Sequence, residues 1–180
     1  MTQNIFMDQV PRRVIVAMVA NSAYVGDKKK SPFKFEPFDV REMAITAGGT
    51  TYPYAPYSMD FSNGRYARAY HDLQEAVGCA NSLESNGISM KRFGSGWTIF
   101  CFTLTSTLSN DGGFELIRSG TTALHTKFNR PIPEGGVTVI VYGVSFCDFP
   151  PPLHSHKCFQ EFDGLLLLDK YRTVSSDVTV

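Results

Sequence analysis

Two cysteines and two histidines close to the C-terminal end of the chain have the side chains that zinc prefers. Cys147, His154, His156 and Cys158 occur in the stretch CDFPPPLHSHKC. Thiolate sulfur and imidazole nitrogen bind Zn²⁺ as a tetrahedron. However, the spacing C-x6-H-x-H-x-C matches no common zinc motif, and Pro150–Pro152 favours a stiff polyproline arm between the first ligand and the others. A zinc site is therefore one interpretation of this stretch, and not the one we favour.

The other two histidines have the pattern of surface residues. His71 adjoins Asp72 on a predicted helix, where consecutive side chains point in different directions. His125 is on the polar side of a predicted strand, with Lys127 two residues further on. We expect neither histidine to act with a catalytic partner, because general acid–base chemistry needs an orienting group within hydrogen-bond reach.

The remaining candidates for chemistry also have structural explanations. Cys101 lies within an apolar run and is expected to be a small buried hydrophobe. Cys79 follows a predicted helix, at the dipole end that disfavours a thiolate. The stretch 111–113 (DGG) is typical of a turn and lacks the strand–loop–helix context of a phosphate-binding loop. We therefore predict that the protein is not an enzyme, with no catalytic, cofactor-binding or metal-binding residues and no cofactor.

The composition argues against nucleic acid and membranes as partners. The 180 residues include 17 basic and 17 acidic side chains, so the formal net charge at pH 7 is zero, without the basic excess of nucleic-acid or lipid-binding proteins. No apolar run reaches the roughly 18 residues needed to span a membrane. The N-terminal stretch MTQNIFMDQVPRR lacks the apolar core of a signal peptide. Four scattered cysteines are too few for a disulfide scaffold, so we expect a soluble protein of a reducing compartment.

Short runs of β-branched and aromatic residues predict several strands. The strongest is Trp97–Leu104 (WTIFCFTL), which is apolar on both faces and is predicted to be a central strand with Trp97 buried. Thr98, Phe100 and Phe102 are expected on one face together with Leu104. The other predicted strands, in chain order, are Arg12–Val19, Val40–Ala47, Thr50–Tyr52 (the return strand after the Gly48-Gly49 turn), Thr121–Phe128 and Val137–Tyr142.

One amphipathic helix is predicted over Tyr66–Val77 (YARAYHDLQEAV). Its large apolar side chains recur at i, i+4, i+7 and i+11 and form one stripe that includes Val77. Gly78 is a suitable residue to end the helix. About five to eight short strands with Gly/Pro turns and one helix, without βαβ alternation, favour an all-β antiparallel sandwich of jelly-roll type.

Five pieces of the chain resemble one protein family in the same order. They are Pro11–Val19 (PRRVIVAMV), Ser31–Val40 (SPFKFEPFDV), Tyr66–Leu73 (YARAYHDL), Asn86–Thr105 (NGISMKRFGSGWTIFCFTLT) and Gly120–Gly143 (GTTALHTKFNRPIPEGGVTVIVYG). This ordered set is similar to the C-terminal jelly roll of double-jelly-roll major capsid proteins from adintoviruses and related polinton-type elements, and to their genome-embedded animal relatives.

The resemblance implies a structural, capsid-type subunit, or a truncated or domesticated remnant of one, that acts by self-assembly. In that family two jelly rolls stand side by side in one chain, and three chains form a pseudo-hexagonal capsomer. The expected partners are copies of the chain or another jelly-roll domain, and the expected location is the virion or the cytoplasm. Because the family pattern places Met1 near the start of the second jelly roll, we expect this chain to lack the first, so pseudo-hexameric trimers do not follow for it alone.

The family pattern also bears on the cysteine–histidine stretch. The piece resembling VTVIVYG continues in the family directly into one resembling EFDGLLLLDKYR, whereas here Val144–Gln160 separates the two. Besides a zinc site, the segment can be a surface loop, since lengthening a loop costs only about 0.6 kcal/mol per doubling. It can also be a retained intron, because Val-Ser can be encoded by GTAAGT and Phe-Gln by TTTCAG. We favour the intron, since the flanks rejoin into the family pattern without the segment.

These inferences predict one jelly-roll domain over residues 5–174, with 144–160 an insert and 175–180 a tail. Two aromatic segments are predicted to be loops, Phe33–Phe38 (FKFEPF) and Tyr52–Tyr57 (YPYAPY). The second is expected to be extended, because a residue before a proline avoids the α region. We expect them to cover the core or a subunit contact. The alternative is a jelly-roll binding module in which these aromatic side chains stack on a sugar or a peptide.

Overall fold

A computed structural model describes residues 1–105, 118–146, 159–168 and 174–178, with the backbone alone from residue 145 onward. The described residues form nine strands and three short helices. In chain order the elements are β1 Thr2–Phe6, β2 Arg13–Ala20, α1 Asn21–Val25, β3 Val40–Ala47, β4 Thr50–Ser58, α2 Ala67–Ala76, α3 Met90–Phe93, β5 Ile99–Thr103, β6 Thr122–Phe128, β7 Val137–Phe146, β8 Phe159–Leu168 and β9 Val174–Val178.

The strands form two antiparallel sheets, one of four strands in the order β1-β6-β3-β4 and one of five in the order β5-β2-β7-β8-β9. The chain passes from one sheet to the other after β1, β2, β4, β5 and β6. Such repeated crossing winds the chain around a single core, as jelly rolls do. The predicted fold class, an all-β antiparallel β-sandwich of jelly-roll type, is confirmed, although the described residues form three short helices and not the one that was predicted. The strands run from residue 2 to residue 178, beyond both predicted domain boundaries, and the boundaries 5–174 stay a prediction.

The position of β2 inside the five-stranded sheet explains why the run VIVAMVA, residues 14–20, is continuously apolar. Val14, Val16 and Met18 of β2 face the other sheet and are fully buried, and Ala17 and Val19 on the opposite face are buried too. β2 pairs with β5 on one side and with β7 on the other. A strand that is covered on both faces has no solvent-exposed face for polar residues, so its sequence does not alternate between apolar and polar side chains.

The strand predicted from WTIFCFTL is β5, and its two faces alternate as predicted. Thr98, Phe100, Phe102 and Leu104 are all buried. The prediction that this strand is central is wrong, because β5 is the outermost strand of its sheet. The prediction that Trp97 is buried is also wrong, since Trp97 is 45% exposed. Trp97 precedes β5, and its backbone pairs with Phe35 in an isolated parallel bridge outside the two sheets.

The predicted helix is confirmed as α2, and Gly78 ends it. Gly78 has φ +80 and donates its N–H to the Glu75 carbonyl, while the N–H of Cys79 reaches the Gln74 carbonyl. These two bonds satisfy carbonyls that the last turn leaves unpaired. The predicted stripe is wrong at Val77, which is exposed, because the buried face is formed by Ala69, Leu73 and Ala76.

An aromatic cluster joins the helices to β5. Phe93, the last residue of α3, is fully buried, and its ring centroid lies 5.8 Å from those of Tyr66 and Tyr70 and 5.9 Å from that of Phe100. The Ser89 side chain caps α3 by accepting the N–H of Arg92. The cluster therefore fixes the position of α2, which packs on β5.

Candidate functional surfaces

The segment YPYAPY is strand β4 rather than a loop, and it uses its three tyrosines differently. Tyr57 is 2% exposed and packs on Phe102 with ring centroids 5.3 Å apart, whereas Tyr54 is 95% exposed. Tyr52 and Tyr57 pair with Ile45 and Met43 of β3, so four residues of β4 lie opposite one residue of β3 and bulge outward. The extended backbone predicted for this segment is confirmed. The prediction that it is a loop is wrong, because an edge strand tolerates proline where a central strand does not.

The segment FKFEPF is a loop that backbone hydrogen bonds fasten to the sandwich. Phe35 donates its N–H to the Gly96 carbonyl at 2.9 Å and accepts the N–H of Thr98 at 3.0 Å. Phe33, two residues earlier, is 73% exposed. Phe33 and Trp97 thus lie on two segments that this bridge joins, and we call these two side chains the Phe33–Trp97 surface.

A pocket of about 170 Å³ opens where β4, β5 and α2 meet. Tyr52, Tyr57 and Phe102 supply aromatic walls, and Asp72 and Glu75 of α2 supply two carboxylates. The pocket joins the outer strands of both sheets, since β4 and β5 each end their sheet. Sequence analysis missed the pocket, because its lining residues lie far apart in the chain.

A hydrogen bond between β4 and α2 lies at the wall of the pocket. The Tyr57 hydroxyl donates a hydrogen bond of 2.6 Å to Oδ2 of Asp72. Burial, reinforced by this bond, raises the pKa of Tyr57 far above its usual value, so the phenol stays protonated. Burial likewise raises the pKa of Cys101 to about 11. Cys101 is therefore an inert buried thiol at neutral pH, in line with the prediction that it is a small core residue.

His71 lies on the surface as predicted, but it does not point away from Asp72. His71 Nδ1 lies 3.6 Å from Asp72 Oδ1, and with Glu75 the two form a group whose ligand atoms all lie within 4.8 Å of one another. This is the one three-residue group among the described residues that has the ligand chemistry for a metal ion. His71 is exposed, and the other two members of the group, Asp72 and Glu75, line the pocket.

His125 lies on the polar outer face of the four-stranded sheet, as predicted. Its Nδ1 lies 2.9 Å from the Thr2 hydroxyl and its Nε2 lies 2.8 Å from the Thr46 hydroxyl. Burial, together with the nearby N-terminal ammonium, lowers the pKa of His125. The neighbouring Lys127 forms an ion pair with Glu42 at 2.6 Å. Both ring nitrogens are therefore held by hydroxyl groups, which is a structural role.

The remaining positions singled out in the sequence lie partly inside and partly outside the residues that the structure describes. Cys79 is half-buried at the end of α2, where its N–H closes the helix. The cysteines and histidines of the proposed zinc stretch lie outside the described residues, as does 111–113. The two ends of the predicted insert are described: residues 144–146 continue β7, and residues 159 and 160 begin β8.

Comparisons with known proteins find one relative. The chain is 34% identical over 140 residues to the uncharacterized protein F54H12.2 of Caenorhabditis elegans. The matched region is 77% of this chain and 33% of the relative, so the chain spans about a third of that protein's length. No protein-family model and no solved structure matches. Among the described residues, no helix combines the length and apolar character needed to cross a bilayer.

Proposed function

We propose that the chain is a structural, capsid-type subunit, or a remnant of one, that acts by self-assembly. The resemblance to double-jelly-roll capsid proteins of adintoviruses and polinton-type elements supports this proposal. Its five pieces coincide, in order, with β2, the fastened loop, α2, the α3–β5 unit and β6–β7. Such a subunit would work in a virion, or in the cytoplasm before assembly.

The observation that carries the proposal is the Phe33–Trp97 surface. Phe33 is 73% exposed and Trp97 is 45% exposed, although backbone hydrogen bonds hold their segments in place. Exposed aromatic side chains on an ordered surface are typical of protein contacts. Burying a side chain of this size contributes about 1.5–3 kcal/mol before the cost of association.

The charge of the chain also favours association. Formal net charge is zero and the sequence pI is about 6.9. Long-range repulsion between copies is therefore weak near neutral pH. We expect association to weaken at pH 9, where the chain has a net negative charge.

Light scattering after size-exclusion chromatography tests the proposal, over a concentration series at pH 7 and pH 9. We expect assemblies that grow with concentration, and a shift towards monomer in the double variant Phe33→Ser/Trp97→Ser. The control is Leu83→Ser, which removes an exposed apolar side chain elsewhere and should leave the assemblies unchanged. A sharp 20.0 kDa monomer at every concentration would argue against a subunit.

The second candidate is a jelly-roll binding module, and the exposure of Tyr54 favours it. Tyr54 stands on the outward bulge of β4 at 95% exposure, a position from which a ring can stack on a sugar or a peptide. Titration with oligosaccharide and peptide arrays tests this candidate. Binding that is lost in Tyr54→Ala, by a chain that stays monomeric, would favour the module over the subunit.

A further inference from the structure

The pocket between β4, β5 and α2 has the size of a site for one side chain. Its volume of about 170 Å³ is close to the roughly 150 Å³ of a cavity that holds benzene. Pockets for drug-sized ligands are larger, at roughly 300–1,000 Å³. The occupant is therefore a small group, and the lining decides which one.

The lining combines an aromatic body with an acidic end. Tyr52, Tyr57 and Phe102 provide rings, and the carboxylates of Asp72 and Glu75 lie together on α2. No lysine or arginine lines the described pocket. The Glu75 carboxylate has no hydrogen bond or ion pair with a described residue, so its charge is available to a ligand. Asp72 has one oxygen engaged by the Tyr57 hydroxyl.

Two arginine side chains contact aromatic residues of the pocket but form no ion pair with its carboxylates. The Arg68 guanidinium lies 5.6 Å from the centroid of the Tyr57 ring and donates to the Ala55 carbonyl. Arg118 donates to the Leu104 carbonyl and to the Tyr52 hydroxyl. His71, beside Asp72, is exposed. Neither arginine pairs with the carboxylates of the pocket, so the acidic end has room for an external cation.

We propose that this pocket binds a primary alkylammonium group, the chemistry of a lysine side chain. The methylene stem packs on the aromatic walls, as lysine stems do on apolar surface, and the ammonium lies at the carboxylates of Asp72 and Glu75. A divalent metal ion would use the acidic end alone and leave the aromatic walls without a role. The inference does not depend on the proposed function.

Two-dimensional amide NMR of the full chain tests the proposal with butylamine and with Nα-acetyl-lysine methylamide as probes. We expect saturable shifts in α2 and β5 with both probes, and stronger binding of the lysine derivative if the source is a protein side chain. Equal binding would point to free amines. The neutral control, Nα-acetyl-norleucine methylamide, should produce no saturable shifts, since it keeps the stem and lacks the charge.

The variant Glu75→Gln should weaken alkylammonium binding about tenfold, because it removes one carboxylate of the pair, and it should leave the thermal midpoint unchanged because Glu75 is exposed. Glu134→Gln, an exposed carboxylate outside the pocket, is the matched control and should bind as the parent does. The proposal is overturned if no probe shifts these amides at about 10 mM, above the millimolar affinity expected of so small a ligand. It is also overturned if the neutral probe binds equally well, or if Mg²⁺ or Zn²⁺ shifts them and the amines do not.

Discussion

Truncation of Phe93 should cost far more stability than truncation of the single tryptophan. Phe93 is fully buried at the junction of α3, α2 and β5. Its ring contacts Tyr66, Tyr70 and Phe100, and its carbonyl accepts the hydroxyl of buried Thr98 at 2.6 Å. Removal of the ring leaves these three neighbours, two at the start of α2 and one on β5, without their common partner.

The magnitude follows from burial. Phe→Ala changes in a core cost about 3–5 kcal/mol, through lost transfer energy and the cavity left behind. Each aromatic pair adds roughly 0.5–1.5 kcal/mol beyond area, so we expect Phe93→Ala to lie at about 4–5 kcal/mol. Trp97 is 45% exposed, and about half of a full side-chain burial is at stake, so Trp97→Ala should cost about 1 kcal/mol.

Urea unfolding at pH 7 measures both variants. Far-UV circular dichroism is the common probe, because the chain has one tryptophan and Trp97→Ala removes the fluorescence signal. Equal m-values would show that the unfolded surface is the same in each variant. Phe93→Leu is the conservative control and should cost less than about 1.5 kcal/mol, since most of the volume stays.

The prediction is contradicted if Trp97→Ala lowers the free energy of unfolding as much as Phe93→Ala does. That outcome would mean that the indole is covered and that β5 has a further neighbour over its start. It also fails if Phe93→Ala costs under about 1 kcal/mol, because a ring whose removal is so cheap cannot hold α2 on β5. If Phe93→Ala does not fold at all, the ranking of Phe93→Leu against Trp97→Leu gives the same decision.

Four further predictions concern single features. Tyr57→Phe removes a hydrogen bond to the Asp72 carboxylate and should cost about 1.5–3 kcal/mol in urea at pH 7. Because the pKa of Tyr57 is raised in the folded state, the parent should also lose stability as pH rises above about 10, and the variant should lose less. Gly78→Ala should cost about 1 kcal/mol by thermal unfolding, since φ is +80 with open space around it. The lowered pKa of His125 means that its contribution is present above about pH 6.5 and lost below, so His125→Gln should flatten the fall in stability between pH 7 and pH 5. Deletion of 144–160 should cost less than about 2 kcal/mol in urea, a larger loss meaning that the segment packs in the core, while a mature transcript that keeps its codons would count against the intron.

Local patterns were enough to predict the fold class, α2 and the principal strands. The alternation in TIFCFTL correctly placed Phe100 and Phe102 in the core, because the period of a strand shows which residues share a face. It could not place β5 in its sheet, and that position decides whether Trp97 is covered. The prolines of YPYAPY predicted a loop, although they are also compatible with an edge strand.

The pocket could not be predicted from local sequence patterns. Its walls come from β4, α2 and β5, and crossovers between the two sheets bring these elements together. Tyr57 and Asp72 meet through a hydrogen bond across 15 positions of sequence, a contact that neither helix period nor strand period encodes.

The short helix α3 was missed although the sequence contains a signal for it. A serine before MKRF is a favourable N-cap, and Ser89 caps α3 in the structure.

The register of β7 with β8 bears on the segment 144–160. Pairing is continuous from Val137↔Leu168 to Phe146↔Phe159, without a shift where the family pattern would join Gly143 to Glu161. If the segment is removed, Tyr142↔Asp163 can still pair, and Gly143, Glu161 and Phe162 then form a three-residue connection, a common hairpin length.

Deletion of 144–160 therefore keeps most of the β7–β8 pairing and removes mainly the pairs nearest to the segment. The chief described loss is the bond from the Arg12 N–H to the Val144 carbonyl at 2.8 Å, worth about 0.5–1.5 kcal/mol. A zinc site in the same segment would make stability depend on the metal, because binding free energy adds to folding free energy. Deletion and chelation thus separate a zinc site from the other two interpretations. A retained intron or a surface loop predicts a small loss of stability on deletion and no effect of chelators, whereas a zinc site predicts a large loss that a chelator reproduces in the parent chain.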